Sequence, residues 1–257
     1  MSSLLLQDIV VNILQILVLV FVIFRVSRFY REDKGLFPLF FAFAMFSLLL
    51  SDIYYLVYDF FHPYTRMPFA ANEIAECATV LLLSAGLESG VCKKKGFKIV
   101  PFVISFLFIT LNITLWIAWS GEWIQDIVFG LPYVYFMYLL IVGIMDYNAL
   151  SSKFGVLLAI LTSLVVIPDA LEVWVPVLSD KHLSMYAYIP LTAISLILFI
   201  LSIKEKEDND KKLLISLLFF LWSILAMYMS GGVFYTAAQV VNTGAIIICT
   251  LKISSSV

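Results

Sequence analysis

Six carboxylates, Asp52, Asp59, Glu73, Glu76, Asp169 and Glu172, fall inside stretches otherwise rich in Leu, Ile, Val, Phe and Tyr. No lysine or arginine accompanies them within those stretches. A charged side chain at the centre of a membrane helix costs about 2.5–3.5 kcal/mol, so six isolated ones would cost roughly 15–20 kcal/mol together. A shared polar or wet pocket removes much of that cost. Carboxyl groups gathered in such a pocket suit two kinds of chemistry: proton transfer as general acid and base, and the binding of a cation.

Their spacing supports a common site. Asp52, Tyr55 and Asp59 recur at i, i+3, i+7 and share one helical face. Asn72, Glu73 and Glu76 form a second group, and Asp169 with Glu172 a third, directly after Pro168. Asp52, Glu73, Glu76 and Asp169 are the candidate catalytic groups. Glu172, Tyr55, Asn72, Asn112, Trp116, Tyr133, Tyr188 and Gln239 are the candidate ligand-binding groups at similar depth. Two further polar stripes, Asp8-Asn12-Gln15 and Tyr235-Gln239-Asn242, follow the i, i+4, i+7 pattern. Such amides also serve simply to join membrane helices, at about 0.6 kcal/mol a pair. Asp8, Asp59, Glu122, Asp126 and Asp180 read as groups at the outer interface, and Glu88 and Asp146 as partners of cytoplasmic lysines.

The elements that must hold these residues are long apolar helices. The chain has 257 residues, 63% of them hydrophobic and 13% charged, with a mean hydropathy of +1.03. A soluble domain of that size has no way to bury so much apolar surface. Apolar spans fall at 8–27, 36–61, 67–90, 97–119, 125–147, 154–178, 183–203, 213–229 and 233–251. They predict an all-α, polytopic membrane helix bundle of nine transmembrane helices, with eight as the fallback. The last two spans are short and joined by Ser230-Gly231-Gly232, so that hairpin either crosses fully or is partly re-entrant. The first span lacks a cationic start and a small-residue cleavage site, and reads as a membrane helix rather than a signal peptide. No intervening segment is long enough to fold alone. The chain is therefore one membrane domain, 1–257, with a core at 1–203 and a C-terminal hairpin at 213–251.

Loop charges set the expected orientation. Fourteen of the 16 lysines and arginines, from Arg25 to Lys252, fall on one side of the alternation, and only Arg66 and Lys181 on the other. The positive side is cytoplasmic. That puts the N-terminus outside, the C-terminus inside, and all six carboxylates in the outer half of the bilayer above a largely apolar inner half. Trp116, Trp119, Trp123 and Trp174 then sit at outer helix ends, where an aromatic belt is expected.

Several chemistries are excluded. The only histidines, His62 and His182, lie in outer loops, so neither a Ser–His dyad nor a histidine metal site is expected within the helices. No cofactor and no metal are called for. A net charge of −2 offers no nucleic-acid footprint. Cys77, Cys92 and Cys249 are too scattered for a disulfide framework and read as buried thiols. Asn112-Ile113-Thr114 matches a glycosylation acceptor only by chance, being inside an apolar span. The Lys, Phe, Ile and Tyr content is compatible with a bacterial plasma membrane.

Phe46-Ser47-Leu48-Leu49-Leu50-Ser51-Asp52 and Thr162-Ser163-Leu164-Val165-Val166-Ile167-Pro168-Asp169 resemble, in order and separation, the two Asp-bearing helix motifs of the YhhN-type lysoplasmalogenase family. The resemblance implies that Asp52 and Asp169 face each other and cleave the vinyl-ether bond of a lysolipid, one carboxyl protonating the ether while the other directs water. The chain departs from the family pattern by carrying Ser-Asp and Pro-Asp where Gly-Asp and Ser-Asp are usual. It also lacks the histidine that follows the first motif, and it adds a hairpin.

The functional expectation is a membrane-embedded lipid or lysolipid hydrolase with an outward-facing acidic and aromatic pocket. The alternatives are a proton- or cation-coupled transporter and a ligand-binding sensor that acts with a partner. The expected partners are membrane lipids and a cationic or lipid-headgroup small molecule, with no nucleic acid.

Overall fold

The structure is a computed structural model that describes residues 3–62, 71–90, 96–120, 122–147, 209–228 and 233–254, together with a few positions between 167 and 200. The described residues form seven helices and no strand: α1 (Ser3–Asp33), α2 (Leu36–Phe61), α3 (Ala71–Ser89), α4 (Ile99–Ser120), α5 (Trp123–Asp146), α6 (Asn209–Tyr228) and α7 (Val233–Ser254). Six of them are long and apolar enough to cross a membrane, which makes this a multi-pass membrane protein. The exception is α3, whose 19 residues include Glu73, Glu76 and Glu88. The predicted spans at 154–178 and 183–203 lie largely outside the described residues. Both arms of the C-terminal hairpin are full-length, 20 residues in α6 and 22 in α7. At a rise of about 1.5 Å per residue each matches a hydrocarbon core of about 30 Å.

The helices alternate in direction, and side-chain contacts fix the register. α1 is followed by Lys34, whose φ of 58° and N–H bond to the Tyr30 carbonyl (2.9 Å) turn the chain directly into α2. α2 and α3 run antiparallel: Ser51 reaches Glu76, Thr79 donates to the Ala44 carbonyl at 3.2 Å, and Phe37 lies against Gly86. A Cβ on Gly86 would meet the Phe37 ring at 3.1 Å, so the missing side chain is what lets the two helices approach. α4 and α5 are also antiparallel and close still tighter. There a Cβ on Gly130 would stand 2.3 Å from Ile113 Cγ1. At the far end of this pair Lys98 forms an ion pair with Asp146, and the Lys98 backbone N–H donates to the Tyr138 hydroxyl.

α1 and α7, at opposite ends of the chain, run parallel. Thr236 bonds Asp8, and Gln15 donates to Asn242 at 3.4 Å, a nearly constant offset of 228 and 227 positions. Neighbouring pairs lead from α1 through α2, α3, α5, α6 and α7 back to α1, with α4 packed on α5. α6 is the most enclosed helix, buried without a break from Leu213 to Leu225, and its Trp222 meets Phe108 edge-on at 5.4 Å. A helix apolar on every side belongs inside a bundle. α1 is the opposite case. Leu14, Leu17, Phe21 and Phe24 lie on one outward face and are 55–72% exposed, an apolar stripe that a membrane protein turns to lipid.

Candidate functional site

The alternation places the first turns of α1, α3, α5 and α7 and the last turns of α2, α4 and α6 at one end of the bundle. A cavity of about 350 Å³ opens there between the helices. From α2 it takes Ser51, Asp52 and Tyr55, and from α3 Asn72, Glu73, Glu76 and Cys77. Asp126, Phe129 and Tyr133 of α5 project into it at i, i+3, i+7. Trp116 of α4 and Met227 and Tyr228 of α6 close one side, and Asn12 of α1 with Tyr235 and Gln239 of α7 the other.

Glu76 is held at both carboxylate oxygens. Ser51 donates to its Oε1 at 3.2 Å and Tyr228 to its Oε2 at 2.5 Å. The hydroxyls of Tyr133 and Tyr228 lie 3.1 Å apart. A phenol has one proton, and that of Tyr228 points at Glu76, so Tyr133 must be the donor in this pair. The result is a directed relay, Tyr133 to Tyr228 to Glu76. Glu73 accepts from the Gln125 amide at 2.8 Å. Asp52 is different. Its Oδ2 is buried and has no hydrogen-bond partner among the described residues.

The aromatic lining is equally organised. Trp116, Tyr133 and Tyr228 meet pairwise edge-to-face, with centroids 5.8–6.3 Å apart and interplanar angles of 73–85°. Tyr55 and Tyr235 form a second pair, 6.3 Å apart. These geometries fall in the favourable range for ring pairs.

Of the residues singled out from the sequence, Asp52, Glu73, Glu76, Tyr55, Asn72, Trp116, Tyr133 and Gln239 all stand on the cavity wall. Asn112 does not. It is fully buried in α4, donates to the Phe108 carbonyl at 3.0 Å and lies away from the cavity. Asp169, Glu172 and Tyr188 lie outside the described residues, as do the side chain of Asp59 and the whole of Cys92 and Trp174. The pairing of Asp52 with Asp169 is therefore not part of the described geometry, in which the carboxylates that share the cavity with Asp52 across the α2–α3 seam are Glu73 and Glu76.

Other placements correct the sequence reading. Asp126, taken for an interfacial group, lines the cavity. Trp116 belongs to the ring cluster, whereas Trp123 is 59% exposed. Of the two described cysteines, Cys77 is half-buried on the cavity wall and Cys249 is an enclosed thiol. Below Asn12 and Gln239 a thread of amides continues from Gln15 to Asn242, which donates to Ser223 at 3.0 Å. Of the two acids expected to neutralise lysines, Asp146 does so with Lys98, while Glu88 accepts from the Tyr135 hydroxyl at 2.9 Å. Sequence reading missed Tyr228 and Ser51. Tyr228 ends the eighth predicted span, at the same depth as Glu76, and that coincidence is the signal that would have found it.

No protein-family model, curated protein or solved structure matches the chain.

Proposed function

We propose that this membrane protein binds a small organic cation in the acid- and aromatic-lined cavity, which opens to the outer face of the membrane. One observation carries the reading: four carboxyl side chains, Asp52, Glu73, Glu76 and Asp126, line the cavity, and no lysine, arginine or histidine does so among the described residues. A cation entering it meets carboxyl side chains and aromatic rings in a setting of low dielectric. The loop charges support the outward orientation. The parallel register of α1 and α7 supports an odd number of crossings, nine on the count of apolar spans, with the termini on opposite sides.

The test is a thermal-shift and calorimetric screen of the full chain in nanodiscs, using organic ammonium ions and neutral molecules of matched shape. Cations are expected to raise the melting temperature by several degrees, with the effect lost in Asp52→Asn and Glu76→Gln. Equal stabilisation by the neutral analogues, or by none of the compounds, removes the proposal.

A second reading, hydrolysis of a lysolipid, draws on the unequal state of two carboxyls in the same cavity. Glu76 is held by two hydroxyls, while Asp52 keeps a free oxygen. One fixed and one free carboxyl is a workable arrangement for acid–base chemistry. It agrees with the role that the lysoplasmalogenase resemblance implies for Asp52, with Glu76 as the second group. Release of an aldehyde from a vinyl-ether lysolipid, abolished by Asp52→Asn, is the expected result. Absence of turnover leaves the cavity as a binding site for transport or sensing.

A further inference from the structure

We propose that the C-terminal end of α1 is a docking face for the headgroup of an anionic phospholipid, held by Arg28 and Arg31. The proposal is independent of the cavity and of any ligand bound there.

The face follows from the helical period. Leu14, Leu17, Phe21 and Phe24 form the outward apolar stripe of α1. Arg28 and Arg31 stand seven residues beyond Phe21 and Phe24, so the stripe that meets lipid continues into two arginines. Packing fixes that rotation, because Val22, Val26 and Phe29 of the same turns are buried in the bundle. Arg25, Arg28 and Arg31 are all exposed, and the side chain of Arg28 is 83% so.

Depth points to the headgroup layer. α1 has 31 residues, a length of about 46 Å, which exceeds a hydrocarbon core of about 30 Å. Asp8, which bonds Thr236 at the other end of the bundle, and Arg25 are separated by about 25 Å of helix. That interval accounts for most of the hydrocarbon. Arg28 lies about 4.5 Å and Arg31 about 9 Å beyond Arg25, and the headgroup layer is about 5–8 Å deep on each side.

Charge selects the occupant. From Arg25 to Lys34 there are four cations, Arg25, Arg28, Arg31 and Lys34, against two acids, Glu32 and Asp33. Glu32 is 3.7 Å from Arg28, but both side chains are open to solvent, where such a pair is weak. A phosphate accepts paired hydrogen bonds from a guanidinium and forms the stronger contact. A phospholipid with its acyl chains along Phe21 and Phe24 brings its phosphate to Arg28 and Arg31. The loop charges assign this end of α1 to the cytoplasmic leaflet, whose acidic lipids attract basic segments beside the membrane.

The experiment titrates the full chain in detergent with dioleoyl phosphatidylglycerol, dioleoyl phosphatidylcholine or inorganic phosphate, and reads binding by native mass spectrometry. Each arginine near an acidic lipid surface contributes about fivefold in affinity. Phosphatidylglycerol is therefore expected to bind at least about fivefold tighter than phosphatidylcholine. Arg28→Gln with Arg31→Gln should remove that preference, and Arg28→Lys with Arg31→Lys should keep most of it. Lys212→Gln, which removes a cation of α6, should leave it unchanged. Equal affinity for the two lipids, or an equal loss in Lys212→Gln, would overturn the proposal. So would binding of inorganic phosphate alone at the same concentrations, which assigns the arginines to a free anion. A dimer that dissociates when the two arginines are replaced by glutamine would likewise overturn it, giving the face to a second copy of the chain.

Discussion

The Tyr228 hydroxyl donates to Oε2 of Glu76 at 2.5 Å, joining the end of α6 to the start of α3 across 152 positions of sequence. Ser51 takes the other carboxylate oxygen and Tyr133 extends the chain beyond Tyr228. Glu76 is therefore the fixed point around which four helices, α2, α3, α5 and α6, are ordered. Hydrogen bonds to ionised groups contribute about 1.5–3 kcal/mol. Tyr228→Phe should accordingly destabilise the protein more than Tyr133→Phe, which leaves the bond to Glu76 in place. A double-mutant cycle of Tyr228→Phe with Glu76→Gln, read by thermal unfolding in detergent, should show coupling of at least about 0.5 kcal/mol. Additivity would mean that the two side chains do not interact.

The amide thread below the cavity has a hub. Asn242 accepts from Gln15 and donates to Ser223, whereas each of those partners makes only one bond in the thread. Interhelical pairs in membranes average about 0.6 kcal/mol with an upper end of about 1.7 kcal/mol. Asn242→Leu should therefore cost more than Gln15→Leu or Ser223→Ala, by about one further pair. Equal melting temperatures for the three variants would show that the thread contributes nothing to helix association.

The α4–α5 contact depends on one missing side chain. A Cβ on Gly130 would stand 2.3 Å from Ile113 Cγ1 and 3.3 Å from the Trp116 ring. Overpacking of this kind costs about 1–3 kcal/mol. Gly130→Ala should lower stability in that range and, by displacing Trp116, weaken ligand binding. Ile113→Ala in the same chain should restore much of the stability. No change in melting temperature for Gly130→Ala alone would refute the close approach.

Cysteine access gives a direct check on sidedness. Cys77 is half-buried on the cavity wall and Cys249 is enclosed between helices. In a Cys92→Ala background, a small membrane-impermeant thiol reagent applied from outside should modify Cys77 and spare Cys249. A bound amine should slow the reaction at Cys77 several-fold. Modification of Cys77 only from the cytoplasmic side would reverse the orientation read from the loop charges.

Much of this protein is determined by composition and period alone. Apolar runs of about 20 residues in a chain this hydrophobic have few stable states other than membrane helices. The described helices accordingly fall where those runs fall, including both arms of the C-terminal hairpin. Carboxylates in such runs must share a polar environment, and that cost alone brought Asp52, Glu73 and Glu76 into consideration before any fold was known. Tertiary structure decided the partners. Depth along a helix follows from sequence, but rotation about its axis and the choice of neighbour follow from packing, which periodicity does not encode. Hence Asp126 turned inward, Asn112 turned to its own backbone, and Tyr228, the last residue of its helix, became the donor to Glu76. The same packing left Asp52 and Asn12 with buried oxygens that no described side chain satisfies.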